Sequence, residues 1–187
     1  IIWLLAGTLI FFFLSLSDYR FLADHAFTLY AIAILGLVVV LIFGTEVHGS
    51  RSWLRLGGIG VQPSEFTKVA LVLVLARYLA GHHENYLSKS RILTLTGLTL
   101  CPTLLVMVQG DLGTALTYFP ILLGAMFVAG LRLRLVLQAC FLSLVSSPFA
   151  WFALKDYQQQ RILATLNPSL DPQGIGYQTS QSVIAIG

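Results

Sequence analysis

Residues 27–43 read FTLYAIAILGLVVVLIF, a long and almost wholly apolar run that contains no charged side chain. A helix needs about 20 such residues, within a range of about 17–25, to cross the hydrocarbon core of a bilayer. Phe27–Phe43 is therefore predicted to be a membrane-spanning helix, and the rest of the chain contains several segments of the same kind.

Five further segments have the composition of spans: Ile1–Leu16, Phe66–Ala80, Ile92–Val108, Leu112–Gly130 and Leu135–Leu154. Phe66–Ala80 is long enough only if Pro63-Ser64-Glu65 forms its first turn, where the missing N–H of proline does no harm. Short connections favour antiparallel neighbours in a bundle. We therefore predict an all-α fold, a polytopic integral membrane helical bundle with about six transmembrane helices, in a single domain over residues 1–187. Its extracytoplasmic loops are expected at residues 44–65 and 155–187.

The composition agrees with a protein whose solvent is mostly lipid. Apolar residues make up 57% of the 187 residues and charged residues 10%, against about 25% charged in soluble domains. The net charge of +3 is spread thinly over the connections, so there is no clustered basic face for nucleic acid. Cys101 and Cys140 both lie inside apolar segments, which argues against a disulfide framework.

Lys and Arg in the connections bear on the orientation of the bundle, because cytoplasmic loops carry an excess of them. Alternate connections divide these residues between two sides. The first side holds Arg20, Arg77, Lys89, Arg91, Arg132 and Arg134. The second holds Arg51, Arg55, Lys68, Lys155 and Arg161. This small bias predicts that the first side is cytoplasmic and the second is extracytoplasmic.

The second side carries three polar stretches, at residues 45–68, 109–114 and 155–181, each of which joins two apolar segments. Membrane enzymes and transporters place their sites on such loops. In the first stretch, Arg51 could bind a phosphate in a bidentate manner, and Trp53 could stack on a sugar. The alternative is that both residues anchor the chain at the membrane interface, as aromatic belts and headgroup-binding cations do.

Three carboxylates on this side have both a structural and a functional interpretation. Glu65 lies three residues before Lys68, so on a helix the two can form an ion pair that either fixes packing or serves a site. Asp111 is placed to cap the following helix, which does not exclude binding a cation. Asp171 lies among the turn-forming residues of NPSLDPQGIGYQTSQ at 167–181, where it is a candidate general base or an ordinary surface turn residue.

Three blocks of sequence, in this order, resemble the SEDS family (shape, elongation, division and sporulation). GSRSWLRLGGIGVQPSEFTKVAL at 49–71 and QGDLGTAL at 109–116 are similar to two family motifs. DYQQQRILATLNPSLDPQGIGYQTSQSVIAIG at 156–187 is similar to a long family loop and is closer to the elongation branch than to the division branch. Family members usually carry Pro where Gly110 stands, so a looser turn is expected before Asp111. The family has more spans than this chain, which is therefore expected to be part of a longer protein.

The resemblance implies a peptidoglycan glycosyltransferase of the bacterial cytoplasmic membrane that polymerises lipid II, with its active site on the extracytoplasmic face. It implies that Asp171 is the catalytic base or a ligand of a divalent cation, Mg²⁺ or Mn²⁺. A class B penicillin-binding protein is the expected partner, besides lipid II and membrane lipid. The residues expected to bind substrate are Arg51, Trp53, Gln62, Ser64, Glu65, Lys68, Gln109, Asp111, Arg161, Gly174, Gly176, Tyr177, Gln178 and Gln181.

Other functions use much of the same set of polar residues. A flippase or transporter for lipid-linked precursors would bind lipid II in order to move it between leaflets. A scaffold would recruit a transpeptidase and would tolerate substitution of Asp171. A division paralogue of the same family would catalyse the same transfer at a different site in the cell.

Overall fold

The structure is a computed structural model that describes residues 2–16, 18–47, 50–56, 59–81, 88–152, 154, 159–160, 162–163 and 177–186. The helices are α1 (Ile2–Leu16), α2 (Tyr19–Asp24), α3 (Ala26–Phe43), α4 (Pro63–Ala80), α5 (Lys89–Val108), α6 (Leu112–Leu116), α7 (Tyr118–Val128), α8 (Leu133–Trp151) and α9 (Tyr177–Ile186). Three strands, β1 (Thr45–Val47), β2 (Ser50–Leu56) and β3 (Ile59–Val61), lie between α3 and α4.

A helix occupies most of each of the six predicted spans, which confirms the main prediction of a helical membrane protein. Among the described residues, Ala26–Phe43 and Lys89–Val108 are long and apolar enough to cross a membrane on their own. Apolar side chains on their outer surfaces are exposed, among them Ile32, Leu35 and Leu93, as expected where lipid replaces water as the solvent. Helix α4 begins at Pro63, so the polar first turn does belong to it.

The predicted loop at residues 44–65 is instead largely a small antiparallel sheet with the strand order β1-β2-β3. Thr45 pairs with Trp53, and Arg55 pairs with Gly60. Strand β2 alternates along its length, with Ser50 and Ser52 buried and Arg51 and Arg55 exposed. Polar residues occupy three consecutive positions at the start of β2, so the sequence shows no apolar–polar alternation from which these strands could be predicted.

The predicted span Leu112–Gly130 is divided into α6 and α7 at Thr117. The backbone N–H of Thr117 donates to the Thr114 carbonyl at 3.1 Å, and its hydroxyl donates to the same carbonyl at 2.6 Å. Pro120 follows within the first turn of α7, where its missing N–H is tolerated. Since Pro120 cannot donate to the Leu116 carbonyl, the helix ends and restarts here.

The chain forms two compact units, residues 1–133 and residues 134–187, where the sequence predicts a single domain. In the second unit, Tyr177–Ile186 is helix α9, although it lies within the predicted loop 155–187. The last four residues of this helix, 183–186, are apolar, whereas its first six are mostly polar and resemble a loop in the sequence.

The core of the first unit is formed by α3, α4, α5, α6 and α7. Its fully buried side chains include Leu37 of α3, Leu71 of α4, Leu95 of α5 and Tyr118 of α7. The buried hydroxyls of Thr99 and Thr103 donate to carbonyls one turn earlier in α5, at 2.9 and 2.7 Å. Because these polar groups are satisfied within their own helix, they can lie in an apolar bundle without an unpaired donor.

Helices α3 and α5 are also joined by a hydrogen bond from the Tyr30 hydroxyl to the Leu98 carbonyl, at 2.6 Å. That carbonyl is four residues before Pro102. Since proline has no backbone N–H, it cannot complete the helical hydrogen bond to Leu98. Tyr30 therefore supplies the donor that the helix itself lacks at membrane depth.

Replacing Tyr30 by Phe is expected to lower the thermal unfolding midpoint of the full-length protein in detergent or nanodiscs. The substitution leaves the Leu98 carbonyl without its donor, for a free-energy cost of about 1 kcal/mol. Tyr19→Phe is the matched control, because Tyr19 is exposed on α2. Equal midpoints for the two variants would show that the bond between α3 and α5 contributes no stability.

Candidate functional site

Two hydrogen bonds bring the polar motifs of the first unit together at one end of the bundle. The Arg51 N–H on β2 donates to the Gln109 carbonyl at the end of α5, at 2.9 Å. The amide of Gln62, which precedes α4, donates to a carboxylate oxygen of Asp111, which precedes α6, at 3.3 Å. The blocks around residues 50, 62 and 110 therefore form one polar surface, which we call the β2–α5 face.

Asp111 is the most fully hydrogen-bonded carboxylate on this face. One oxygen accepts from the Thr114 N–H at 3.1 Å, which caps α6. The other accepts from the Thr114 hydroxyl at 2.8 Å and from the Gln62 amide at 3.3 Å. A carboxylate that is held by three donors at a helix N-terminus has a structural role. The predicted cap is confirmed, and substrate binding by Asp111 stays a prediction.

Replacing Asp111 by Ala is expected to destabilise the protein by about 1–2 kcal/mol, the usual effect of removing an N-cap. The Gln62 amide loses its acceptor in the same step. Asp18→Ala is the matched control, because Asp18 caps α2 by accepting from the Arg20 N–H at 2.9 Å on an exposed surface. The measurement is thermal unfolding, and a larger shift for Asp18→Ala would contradict the assignment.

Gly110 stands at the turn between α5 and Asp111, with a φ of +82°. The Gly110 N–H donates to the Met107 carbonyl at 3.0 Å, and the Asp111 N–H donates to the Val106 carbonyl at 3.2 Å. This pair of bonds is a Schellman motif, in which a glycine with positive φ ends the helix. The expectation of a looser turn was therefore wrong, because glycine closes this turn with two hydrogen bonds. Proline, whose φ is fixed near −65°, could not adopt it.

The side chain of Arg51 is 57% exposed. Its nearest acid is Glu46 on β1, at 3.9 Å between Nε and Oε2. An ion pair this long between exposed side chains is weak, so the guanidinium is available to an anion. Trp53 packs one part of its ring against Gly60, where an added Cβ would lie 3.1 Å from Cε3. Sugar stacking by Trp53 stays a prediction.

Glu65 and Lys68 form the predicted ion pair in the first turns of α4, at 2.8 Å. Lys68 is the more buried partner, with 25% of its side chain exposed against 55% for Glu65. The pair keeps an ammonium group near the polar end of a helix that otherwise runs through an apolar bundle, where pairing is the usual remedy for a charge.

Ser64 and Gln109 are buried, with 1% and 4% of their surfaces exposed. The Ser64 carbonyl accepts from the Tyr118 hydroxyl at 3.1 Å, and the Gln109 amide donates to the Leu37 carbonyl at 2.9 Å. Both side chains face the bundle, and substrate contact by either one stays a prediction.

The opposite end of α4 carries a separate ion pair, between Arg77 and Asp24 at 3.3 Å. The pair helps to line a cavity of about 510 Å³ between α2 and α4, whose other lining residues include Tyr19, Arg20, Leu22 and Leu73. Arg77 is predicted to lie on the first side of the membrane, and it stands at the end of α4 opposite to Glu65 and Lys68. The cavity is therefore not part of the β2–α5 face.

Four predicted site residues, Arg161, Asp171, Gly174 and Gly176, lie outside the described residues. Tyr177, Gln178 and Gln181 belong to α9 of the second unit. Within the described part of the chain, no three His, Cys, Asp or Glu side chains are grouped as metal ligands. A metal site that includes Asp171 thus stays a prediction.

Thr114 and Tyr118 contribute to this end of the bundle and were not predicted from the sequence. Thr114 supplies two of the three donors to Asp111, and the spacing Asp-x-x-Thr is a signal for such a cap. Tyr118 is a hydroxyl inside an apolar segment. Polar groups in spans usually face the bundle interior, so its burial, though not its partner, was predictable.

The family model for the cell cycle proteins FtsW, RodA and SpoVE matches residues 1–187. This chain belongs to that family. The resemblance of its three sequence blocks to SEDS proteins is thereby confirmed, because the match covers the whole chain.

Relatives and solved structures agree with membership of the FtsW/RodA/SpoVE family. The peptidoglycan glycosyltransferase MrdB of Escherichia coli K12 is 42% identical over 164 residues, which cover 85% of this chain and 43% of MrdB. A chain from a peptidoglycan synthase complex that coordinates polymerisation and crosslinking is 38% identical, with a TM-score of 0.70 over 97% of this chain and 54% of that one.

The rod shape determining protein RodA of Thermus thermophilus is 34% identical, with a TM-score of 0.63 over 74% of this chain and 46% of that one. The chain thus spans about half the length of the proteins that it matches.

Proposed function

We propose that the protein containing this chain is a peptidoglycan glycosyltransferase that polymerises lipid II for cell-wall elongation. The observation that carries the proposal is the pair of cations at one end of the first unit. The Arg51 guanidinium lies on the β2–α5 face, and the Lys68 ammonium lies in the first turns of α4. The names of MrdB and of the Thermus RodA support the same activity and the same branch.

The reaction joins two sugars and releases a pyrophosphate. The C4 hydroxyl of the acceptor sugar attacks C1 of the donor sugar, the bond from C1 to the lipid pyrophosphate breaks, and the hydroxyl proton passes to a base. Such an inverting transfer needs a base near the hydroxyl and positive charge near the leaving group. A lipid-exposed site has to hold the polyprenyl chain throughout.

Arg51 and Lys68 are suited to the leaving group in different ways. The exposed guanidinium of Arg51 can exchange its long contact with Glu46 for two hydrogen bonds to a phosphate. Lys68 is held at 2.8 Å from Glu65, so its charge is already placed before substrate arrives. A preorganised cation of this kind stabilises developing negative charge more than a mobile one.

Asp111 is a poor base, because three donors already occupy its carboxylate oxygens. Asp171 is the candidate base that the sequence motif supplies. Because MrdB is more than twice as long as the matched segment, a carboxylate from the remaining part of such a protein is the competing source of the base.

Three finer assignments belong to the same proposal. The membrane is the bacterial cytoplasmic membrane, and the β2–α5 face is extracytoplasmic, since the connections at the other end of the bundle carry the larger share of Lys and Arg. The partner is a class B penicillin-binding protein, because the structural neighbour belongs to a complex that couples polymerisation to crosslinking. The branch is elongation and not division.

The deciding experiment uses the purified full-length protein in nanodiscs with lipid II. Glycan strands longer than the precursor are expected, with release of the lipid pyrophosphate. Movement of labelled lipid II between leaflets without chain growth would instead identify a flippase, and absence of both would leave a scaffold. Rescue of rod shape, but not of division, in depleted cells distinguishes the elongation branch from the division branch.

A further inference from the structure

Gln109 has an unusual environment for a residue of a polar motif. It ends α5 and is 4% exposed, so its side chain does not face the open surface that carries Arg51. The amide nitrogen donates to the Leu37 carbonyl in the interior of α3, at 2.9 Å. A carbonyl oxygen has two lone pairs, so it can accept this bond in addition to its helical one.

The backbone of Gln109 also connects the end of α5 to the sheet. Its carbonyl accepts from the Arg51 N–H at 2.9 Å, and the two residues after it form the Schellman turn that leads to Asp111. One residue thus joins α3, through its side chain, to the strand that carries Arg51 and to the turn that carries Asp111.

A glutamine at position 109 is not the residue that folding stability alone would favour. Its oxygen, Oε1, is buried and has no hydrogen-bond partner among the described residues. A buried acceptor without a partner is destabilising, whereas an apolar side chain of the same shape can be neutral or better. Local choices that lower stability are expected where function requires a particular geometry.

We propose that Gln109 is a positioning residue, which fixes the end of α5 to α3 and so sets where Arg51 stands for the anionic pyrophosphate of a polyprenyl-linked donor. This inference rests on the proposed function. It changes the expected role of Gln109 from a residue that binds substrate to one that acts through Arg51.

The test is a double-mutant cycle of Gln109→Met and Arg51→Ala in the full-length protein, with KM for lipid II as the readout. Methionine keeps the volume and removes both the tether and the unpaired oxygen. Gln109→Met is expected to raise KM about tenfold, the scale of coupling within one hydrogen-bonded network, without lowering the unfolding midpoint. In the double variant KM should be no higher than in Arg51→Ala.

Tyr30→Phe is the matched control, because it removes another side-chain bond between the same two helices, α3 and α5, away from this face. It is expected to lower the unfolding midpoint and leave KM unchanged. The positioning role is refuted if Gln109→Met also lowers the unfolding midpoint and leaves KM unchanged. It is refuted too if the increases in KM from Gln109→Met and Arg51→Ala multiply in the double variant.

Hydrogen exchange of the peptide that contains residues 50–56 separates this inference from the proposed function. Exchange should be faster in Gln109→Met than in the wild type and unchanged in Tyr30→Phe. Unchanged exchange in Gln109→Met overturns the tether. Faster exchange, together with a wild-type KM for Arg51→Ala, keeps the tether and removes Arg51 from the proposed pyrophosphate site.

Discussion

Replacing Lys68 by Met is expected to lower the rate of lipid II polymerisation by about 10²–10³-fold, the usual effect of removing one preorganised group that stabilises developing charge. The ammonium group lies 2.8 Å from Glu65, and 25% of the Lys68 side chain is exposed, so the charge is held in one place and solvent replaces it poorly when it is lost. The loss should appear in kcat as well as in KM, because charge on the leaving group develops in the transition state.

This loss of activity is separable from a loss of folding. Glu65 is 55% exposed, and an ion pair with an exposed partner contributes about 0–1 kcal/mol to stability. The unfolding midpoint of Lys68→Met should therefore stay close to that of the wild type. A large fall in the midpoint would show that Lys68 holds the helix and would leave its catalytic role without support.

Arg77→Met is the matched control, because it removes the other described ion pair of α4, that with Asp24 at 3.3 Å. Arg77 lies at the opposite end of the same helix, and Arg77→Met is expected to leave both kcat and KM for lipid II unchanged. Equal losses of activity in Lys68→Met and Arg77→Met would mean that any broken pair on α4 disturbs the enzyme, and would refute a site on the β2–α5 face.

The helices of this fold could be predicted because each depends on a long, continuous property of the chain. Apolar length alone located α3 and α5, and proline at the first position located the start of α4. The sheet was missed because Ser50, Arg51 and Ser52 are all polar, so no apolar–polar alternation marks the start of β2. A strand of seven residues gives a weaker signal in the sequence than a membrane span does, and its polar residues are of the types found in loops.

The site was predictable where its contacts are local. The Glu65–Lys68 pair and the Asp111 cap each lie within one turn of helix, so their spacing in the sequence specifies them. The contacts from Gln62 to Asp111 and from Gln109 to Leu37 join residues that are 49 and 72 positions apart. No spacing rule predicts such pairs, because they depend on how the helices pack. The orientation of Gln109 toward the bundle follows from that packing too.

Replacing Asp171 by Asn is expected to lower lipid II polymerisation by about 10²–10⁴-fold, the contribution of a positioned general base. Asn keeps the size and the turn-forming character of Asp, so the surrounding loop should be preserved while proton transfer is lost. The rate should fall with little change in KM, because the base acts on the hydroxyl proton and not on the lipid pyrophosphate.

Asp111→Asn is the informative comparison, because it makes the same chemical change in a carboxylate whose oxygens already accept three hydrogen bonds. It should affect stability more than rate, since it replaces one acceptor in a cap. If Asp171→Asn polymerises lipid II at the wild-type rate, Asp171 is not the base. The β2–α5 face would then supply charge to the leaving group while another segment removes the proton.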